Sequence, residues 1–283
     1  MPPRNPARQT KPVSHSDVGA FRLYVRYVAI SWRAQLQYRA SFLLQCLGTG
    51  MITAGEFLVI VALFGRFKTL DGWTLPEICV FYGTVNLAWS IAEALARGFD
   101  DFGSLVKSGD FDRILLRPRS TVLQVLGREF TLRRVGRFAL GVMVLTWGWT
   151  DLELGWDGAR LLLVGFAVAG GVALFIGLLV LQATLAFWTV ESLEVMNILT
   201  YGGVTTTQYP ITIYPSRLRH FFTAVIPLAC VAYFPIVAVL GHPDPLGTAV
   251  VWQCLSPTVG FLFFGLSLLV WRMGVRHYSS TGS

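Results

Sequence analysis

Charge is what this sequence has least of. Only 14% of its 283 residues are Asp, Glu, Lys or Arg, where a soluble domain carries about 25%, and 54% are hydrophobic. The shortfall excludes an ordinary water-facing surface and points to lipid in its place. Cysteine is also sparse. Cys46, Cys79, Cys230 and Cys254 form no CxxC pair, which argues against a metal site or a disulfide framework and for small apolar packing residues. His15, His220, His242 and His277 are scattered. No HExxH pattern, Walker-type phosphate loop or GxSxG elbow is present, so the usual signatures of metal hydrolysis, nucleotide binding and acyl transfer are missing. No catalytic, cofactor-binding or metal-ligating residue is assigned. The net charge of +7 comes without a nucleic-acid-binding signature, so no nucleic acid is expected as a partner. Residues 1–16 lack the apolar core of a cleavable signal peptide. They are rich in Pro and Arg and read as a disordered cytoplasmic tail, ahead of one membrane domain over 17–283.

What is present is a series of long apolar runs. A bilayer core is about 30 Å thick and needs roughly 20 apolar residues per helix. Such runs occupy 40–64, 77–97, 134–150, 159–187 and 250–271. Before them, Asp17 can cap a helix in which Phe21, Tyr24, Val25, Val28 and Trp32 share a face and Arg22, Arg26 and Arg33 lie off it. That is an amphipathic helix of the membrane interface. Thr121 and Gln124 have capping-box spacing and open a helix that carries Arg128, Arg133 and Arg134 into the third span. Trp147, Trp149 and Trp156 cluster at its far end, as an interfacial aromatic belt does. The stretch 188–249 has two readings. One places a span at 220–240, broken by Pro227 and Pro235; the other places it at 192–209, with 210–249 outside as a re-entrant segment. Both give six transmembrane helices and an all-α integral membrane fold. With the N-terminus in the cytoplasm, the second reading leaves only Arg66, Lys68, Arg160, Arg217 and Arg219 outside, and the first moves Arg217 and Arg219 inside. Either obeys the positive-inside rule.

Three features stand out as candidates for function. In the polar stretch after span two, Phe102, Leu105 and Val106 share a helical face, and Phe111, Ile114 and Leu115 repeat the spacing. Asp100, Asp101, Lys107, Asp110, Asp112 and Arg113 lie between them, Gly109 separates the halves, and Pro118 ends the segment. A short amphipathic helix outside the membrane needs a cover for its apolar face, either headgroups or a soluble partner. In span one, Gln45, Thr49, Thr53 and Glu56 form a polar stripe. An ionisable group such as Glu56 marks either a bonded neighbour or a pathway. Asn86 and Ser90 of span two join this set as possible pathway lining. Glu93 and Arg97 are spaced to pair with each other. In span four, Gly165, Ala169, Ala173 and Gly177 form a small-residue ridge for close helix packing.

The segments GDFDRILLRP at 109–118, YPITIYPSRLRHFFTAVIPLACVAYFP at 209–235 and GVRHYSSTGS at 274–283 resemble the permease subunits of type-2 ABC exporters, in the viologen-exporter-like or uncharacterised branch. The resemblance implies a coupling helix at about 100–116, bearing Phe102, Leu105, Val106, Phe111, Asp112, Arg113, Ile114 and Leu115, seated on a separate ABC ATPase that binds ATP and Mg. It also implies that 17–36 is a connecting helix and that span five is 192–209, with a Pro-broken extracellular segment before span six. A second permease, identical or paralogous, would complete the membrane part. The implied home is the bacterial cytoplasmic (inner) membrane, multi-pass, with both termini cytoplasmic and lipid as a further partner. The competing readings are a stand-alone channel, a secondary transporter, which would show two related halves, and a membrane-embedded enzyme, for which only Glu56 and Glu93 are available.

Overall fold

The computed structural model describes residues 20–131, 134–155, 157–188 and 193–278. The tail 1–16 and the cap Asp17 lie outside these residues, as do Arg133 and Trp156. Among the described residues there is no strand, only an isolated antiparallel bridge between Leu70 and Trp73. Helix α1 spans Ala20–Gln37 and α2 Arg39–Arg66. Helix α3, Leu75–Asp100, runs into α4, Phe102–Lys107, followed by α5, Asp110–Leu115, and α6, Thr121–Leu126. Then come α7, Val135–Asp151, α8, Gly158–Leu185, and α9, Leu193–Thr207.

Next are short pieces: α10, Ser216–His220, a π-turn at Phe221–Val225, α11, Leu228–Val231, and α12, Tyr233–Leu240. Helices α13, Val250–Leu255, and α14, Thr258–His277, complete the order.

Four helices are long and apolar enough to cross a bilayer: α2, α3 with α4, α8 and α14. The pair Ser216–Val225 and Leu228–Leu240 passes the same test only jointly, bent by 72°. Pro227 sits at the bend, where it removes a backbone donor. The expected third and fifth spans are shorter. Helix α7 has 17 residues and α9 has 15, or about 25 and 22 Å at 1.5 Å per residue. The expected helix from Thr121 into span three is instead broken. Helix α6 stops at Leu126, and α7 begins only at Val135. Gln124 makes no box with Thr121; its amide donates to the carbonyls of Ile114 and Arg119. The capping box lies elsewhere, at Thr74 and Glu77, whose carboxylate accepts from the Thr74 N–H and hydroxyl at 2.8 Å each.

Side-chain contacts fix the helix directions. Thr53 meets Arg137 and Phe57 meets Trp147, so α2 and α7 run in parallel. Trp89 meets Phe175 and Phe102 meets Phe187, so α3 and α8 run together. Gln182 binds Asn197 and Thr200, and seven residues earlier on α8 Phe175 shares Trp89 with Tyr201, so α9 returns antiparallel to α8. Helix α3 is the centre: Ile78, Phe81, Tyr82, Trp89, Ala92 and Ala96 are buried. Helix α2 shows its other face, with Leu44, Met51, Ile52 and Val59 exposed. On α8 only the second half of the expected ridge, Ala173 and Gly177, is buried. Gly165 is open and Ala169 exposed, while Gly170 meets Pro257, Gly171 meets Ala88 and Gly177 meets Phe263. Cys79 and Cys230 are buried and Cys46 and Cys254 half-buried.

The end away from α4 and α5 is closed by side chains. Trp73 stacks on His242 with ring centroids 4.4 Å apart and donates to Thr212 Oγ1 at 3.2 Å. Asp244 accepts from Tyr233 at 2.8 Å and from the Leu246 and Thr248 N–H groups at 3.0 Å each. This ties α12 to the loop before α13.

Candidate functional site

The segment singled out by its amphipathic spacing forms a bent lever rather than one helix. Gly109 adopts φ 73°, a left-handed conformation that glycine takes without steric cost, and this turns α5 away from α4. The apolar face is already covered by the chain itself. Phe102, Leu105, Val106 and Phe111 are all buried. The Phe102 ring lies edge-on to Phe111 at 5.1 Å, to Phe187 at 5.2 Å and to Trp271 at 4.9 Å. Phe99 meets Trp271 at 5.1 Å, and Tyr278 meets Phe111 at 5.0 Å. Such edge-to-face pairs each add about 0.5–1.5 kcal/mol beyond their burial. The Trp271 indole N–H donates to Thr121 Oγ1 at 3.1 Å, so α6 joins the same cluster. The joint thus gathers the ends of α3, α8 and α14 with α4, α5 and α6.

The surface left open is the opposite side of the lever. Leu115 is half-exposed, Leu116 is 84% exposed, and Arg113 points outward while pairing with Asp110 at 3.6 Å. Asp112 and Ile114 are half-buried at its edge. Of the eight residues assigned to a partner, four therefore sit inside the chain, and Leu116, absent from that set, is the most exposed apolar group of the segment. The missing signal was depth: the α4 and α5 stripes match the cluster made by Phe187 and Trp271, far along the chain. A cavity of about 350 Å³ lies beside the lever, lined among others by Asp110, Arg113, Arg117 and Arg128.

The charged groups of α3 do not pair as their spacing suggests. Glu93 is buried and bonds Arg134 at the head of α7, while Arg97 turns to Asp100. Helical spacing allows a pair at i, i+4, but Arg134 reaches the buried carboxylate from a neighbouring helix and Asp100, three residues on, takes Arg97. Asp100 also accepts from Tyr201 of α9 at 3.1 Å.

The expected pathway residues divide into two groups. Gln45 and Glu56 are exposed and Thr49 is half-exposed, on the open side of α2. Thr53 is buried, accepts from Arg137 at 3.3 Å, and its carbonyl accepts from Tyr82 at 2.9 Å. Asn86 and Ser90 are buried within α3's packing and donate to the carbonyls of Tyr82 and Leu87. The two sets do not meet in one passage within the chain.

A family model described as ABC-2 family transporter protein matches residues 51–282. The chain belongs to the ABC-2 transporter family. No curated protein and no solved structure matches it. The ABC-2 match begins inside α2 and runs beyond α14, so the lever, the aromatic cluster and the Glu93–Arg134 pair all fall within it, while α1, Gln45 and Thr49 precede it. The ABC-2 family is one of membrane transport components, which makes this chain a multi-pass membrane permease of an ABC transporter.

Proposed function

We propose that the chain is the membrane subunit of an ATP-driven exporter and that a separate ABC ATPase seats on the open face of the lever. Helices α2, α3, α7, α8, α9 and α14 serve as the six spans, with both termini in the cytoplasm of a bacterial inner membrane. The bent segment Ser216–Leu240 serves as the Pro-broken re-entrant element on the far side. Two such subunits, identical or paralogous, enclose the cargo path between their α2 faces, where Glu56 and Gln45 are exposed. ATP and Mg belong to the ATPase. Amphiphilic or cationic compounds, as in viologen or multidrug export, are the favoured cargo class, because a glutamate stands on that face.

The observation that carries this reading is the joint. A lever whose inner side is locked by Phe102, Phe111 and Phe187 onto the ends of three long helices transmits a push on Leu116 to all of them. Close packing makes such a body move as a unit rather than deform. ATP closure of the ATPase pair then shifts the membrane pair between two states, provided ATP binds those states with different affinity.

The test is co-expression with the ATPase of the same operon. The two proteins should copurify in detergent from wild type, and Arg113→Glu with Leu116→Asp should release the ATPase without altering the permease's melting temperature. Undiminished copurification of that variant, with transport intact, sinks the reading.

A further inference from the structure

At the end of the bundle remote from the lever, α8 begins beside α12 and α13. Helix α8 has 28 residues, about 42 Å at 1.5 Å per residue, so its first turn lies a full bilayer away from Phe187. An apolar cavity of about 570 Å³ opens there, lined among others by Leu163, Phe166, Val239 and Cys254, with Arg160 in the lining. This volume falls within the roughly 300–1,000 Å³ of ordinary ligand cavities.

Arg160 is half-buried and makes no hydrogen bond or ion pair among the described residues. Its nearest acid along the chain, Asp157, caps α8 by accepting from the Ala159 N–H at 3.3 Å. A half-buried guanidinium without a partner beside an apolar space is free to donate a charge-assisted hydrogen bond to an anion that arrives with an apolar group. Leu162 at the rim is 76% exposed, and Trp147 and Trp252, at the same end, are exposed, as interfacial tryptophans are. The cation therefore stands at headgroup depth and the cavity at acyl-chain depth.

We propose that this cavity is a phospholipid site, with one acyl chain between α8, α12 and α13 and the phosphodiester on Arg160. The required ligand is amphiphilic: neither the chain nor the phosphate alone satisfies both halves of the site. The proposal needs only that α8 lies in a membrane, and it stands apart from the ATPase reading, which a failure here leaves untouched.

The test uses the full chain, purified and delipidated in detergent, with bound lipid counted by native mass spectrometry. Dioleoyl phosphatidylglycerol should remain bound to wild type. Dioleoylglycerol, which has the chains without the phosphate, should bind at least about tenfold more weakly, the worth of one charge-assisted contact, and inorganic phosphate, which lacks the buried chain, should also bind at least about tenfold more weakly. Arg160→Ala should weaken phosphatidylglycerol by a similar factor and Arg160→Lys should keep most of it, while Ala238→Phe should exclude it by filling the cavity. Arg160 bonds nothing among the described residues, so its variants decide the matter even if Ala238→Phe does not fold. Equal binding of dioleoylglycerol, equal binding of inorganic phosphate, or unchanged lipid binding in Arg160→Ala overturns the proposal. So does a result in which Arg160→Ala alters the mass of a dimer and leaves the lipid count alone, since the cavity then seats a second copy.

Discussion

The hydroxyl of Tyr201 in α9 donates to Asp100 Oδ2, 3.1 Å away, at the last residue of α3. The same carboxylate holds Arg97, and the Tyr201 ring lies edge-on to Trp89 at 5.3 Å. Helix α9 is thus tied to the point where α3 passes into the lever.

Tyr201→Phe keeps the ring against Trp89 and removes one hydrogen bond to a charged acceptor, worth about 1.5–3 kcal/mol. The permease should melt at a lower temperature, and the ATP hydrolysis of the assembled complex should lose part of its stimulation by cargo. A melting curve identical to wild type would show that the bond contributes nothing to the joint.

The two sides of the lever should respond oppositely to substitution. Phe111→Ala removes a fully buried ring from the cluster and should cost about 3–5 kcal/mol, read as lost folded yield in detergent. Leu116→Ala, at an 84% exposed position, should leave the folding stability within about 0.5 kcal/mol of wild type and weaken only the association with the ATPase.

Glu93 and Arg134 should behave as a buried pair. Removing either partner alone strands a charge inside the bundle, at a cost of about 3–5 kcal/mol. Arg134→Leu combined with Glu93→Leu should recover much of that loss, because a buried ion pair is often replaceable by apolar groups of similar size. A double-mutant cycle on thermal unfolding reads the coupling directly, and additive losses would argue against the pairing.

Asp244 supplies a pH dependence. Burial raises its pKa, but bonds from the Thr248 hydroxyl, the Leu246 N–H, Tyr233 and the Thr248 N–H outweigh this and hold it below the ordinary aspartate value. A carboxyl depressed in the folded state stabilises fully above its unfolded pKa, and the benefit is lost as the pH falls through the folded pKa. Wild type should therefore melt higher than Asp244→Asn at neutral pH, with the gap closing only in the acid range below the ordinary aspartate value. A gap that is constant with pH contradicts the assignment.

Much of the fold was legible because the bilayer imposes long apolar runs, and α2, α3 and α8 coincide with such runs to within a few residues, whereas the run expected at 250–271 is divided at Pro257 into α13 and an α14 that ends six residues later, at His277. What escaped were features set by residues far apart in the chain. Nothing around Phe102 indicates that Phe187 and Trp271 will cover it, so its stripe reads as a surface awaiting a partner. Spacing alone pairs Glu93 with Arg97, whereas α7 brings Arg134 to the buried carboxylate. The break after Leu126 follows from α6 packing across the end of α3, where a methyl group on Gly98 would collide with the Val125 carbonyl. One signal is local: Thr74 and Glu77, three residues apart with Pro76 between, carry the capping-box pattern in the sequence itself.

The Glu93–Arg134 contact also has an effect on how the chain is made. The ribosome adds roughly 5–20 residues per second, so α3 leaves it seconds before the arginine that will neutralise its carboxylate. During that interval the nearest cation along the chain is Arg97, one helical turn further along α3 itself. The α3–α7 contact at Glu93 therefore forms only after both helices have been made, so α7 docks on an α3 that already exists.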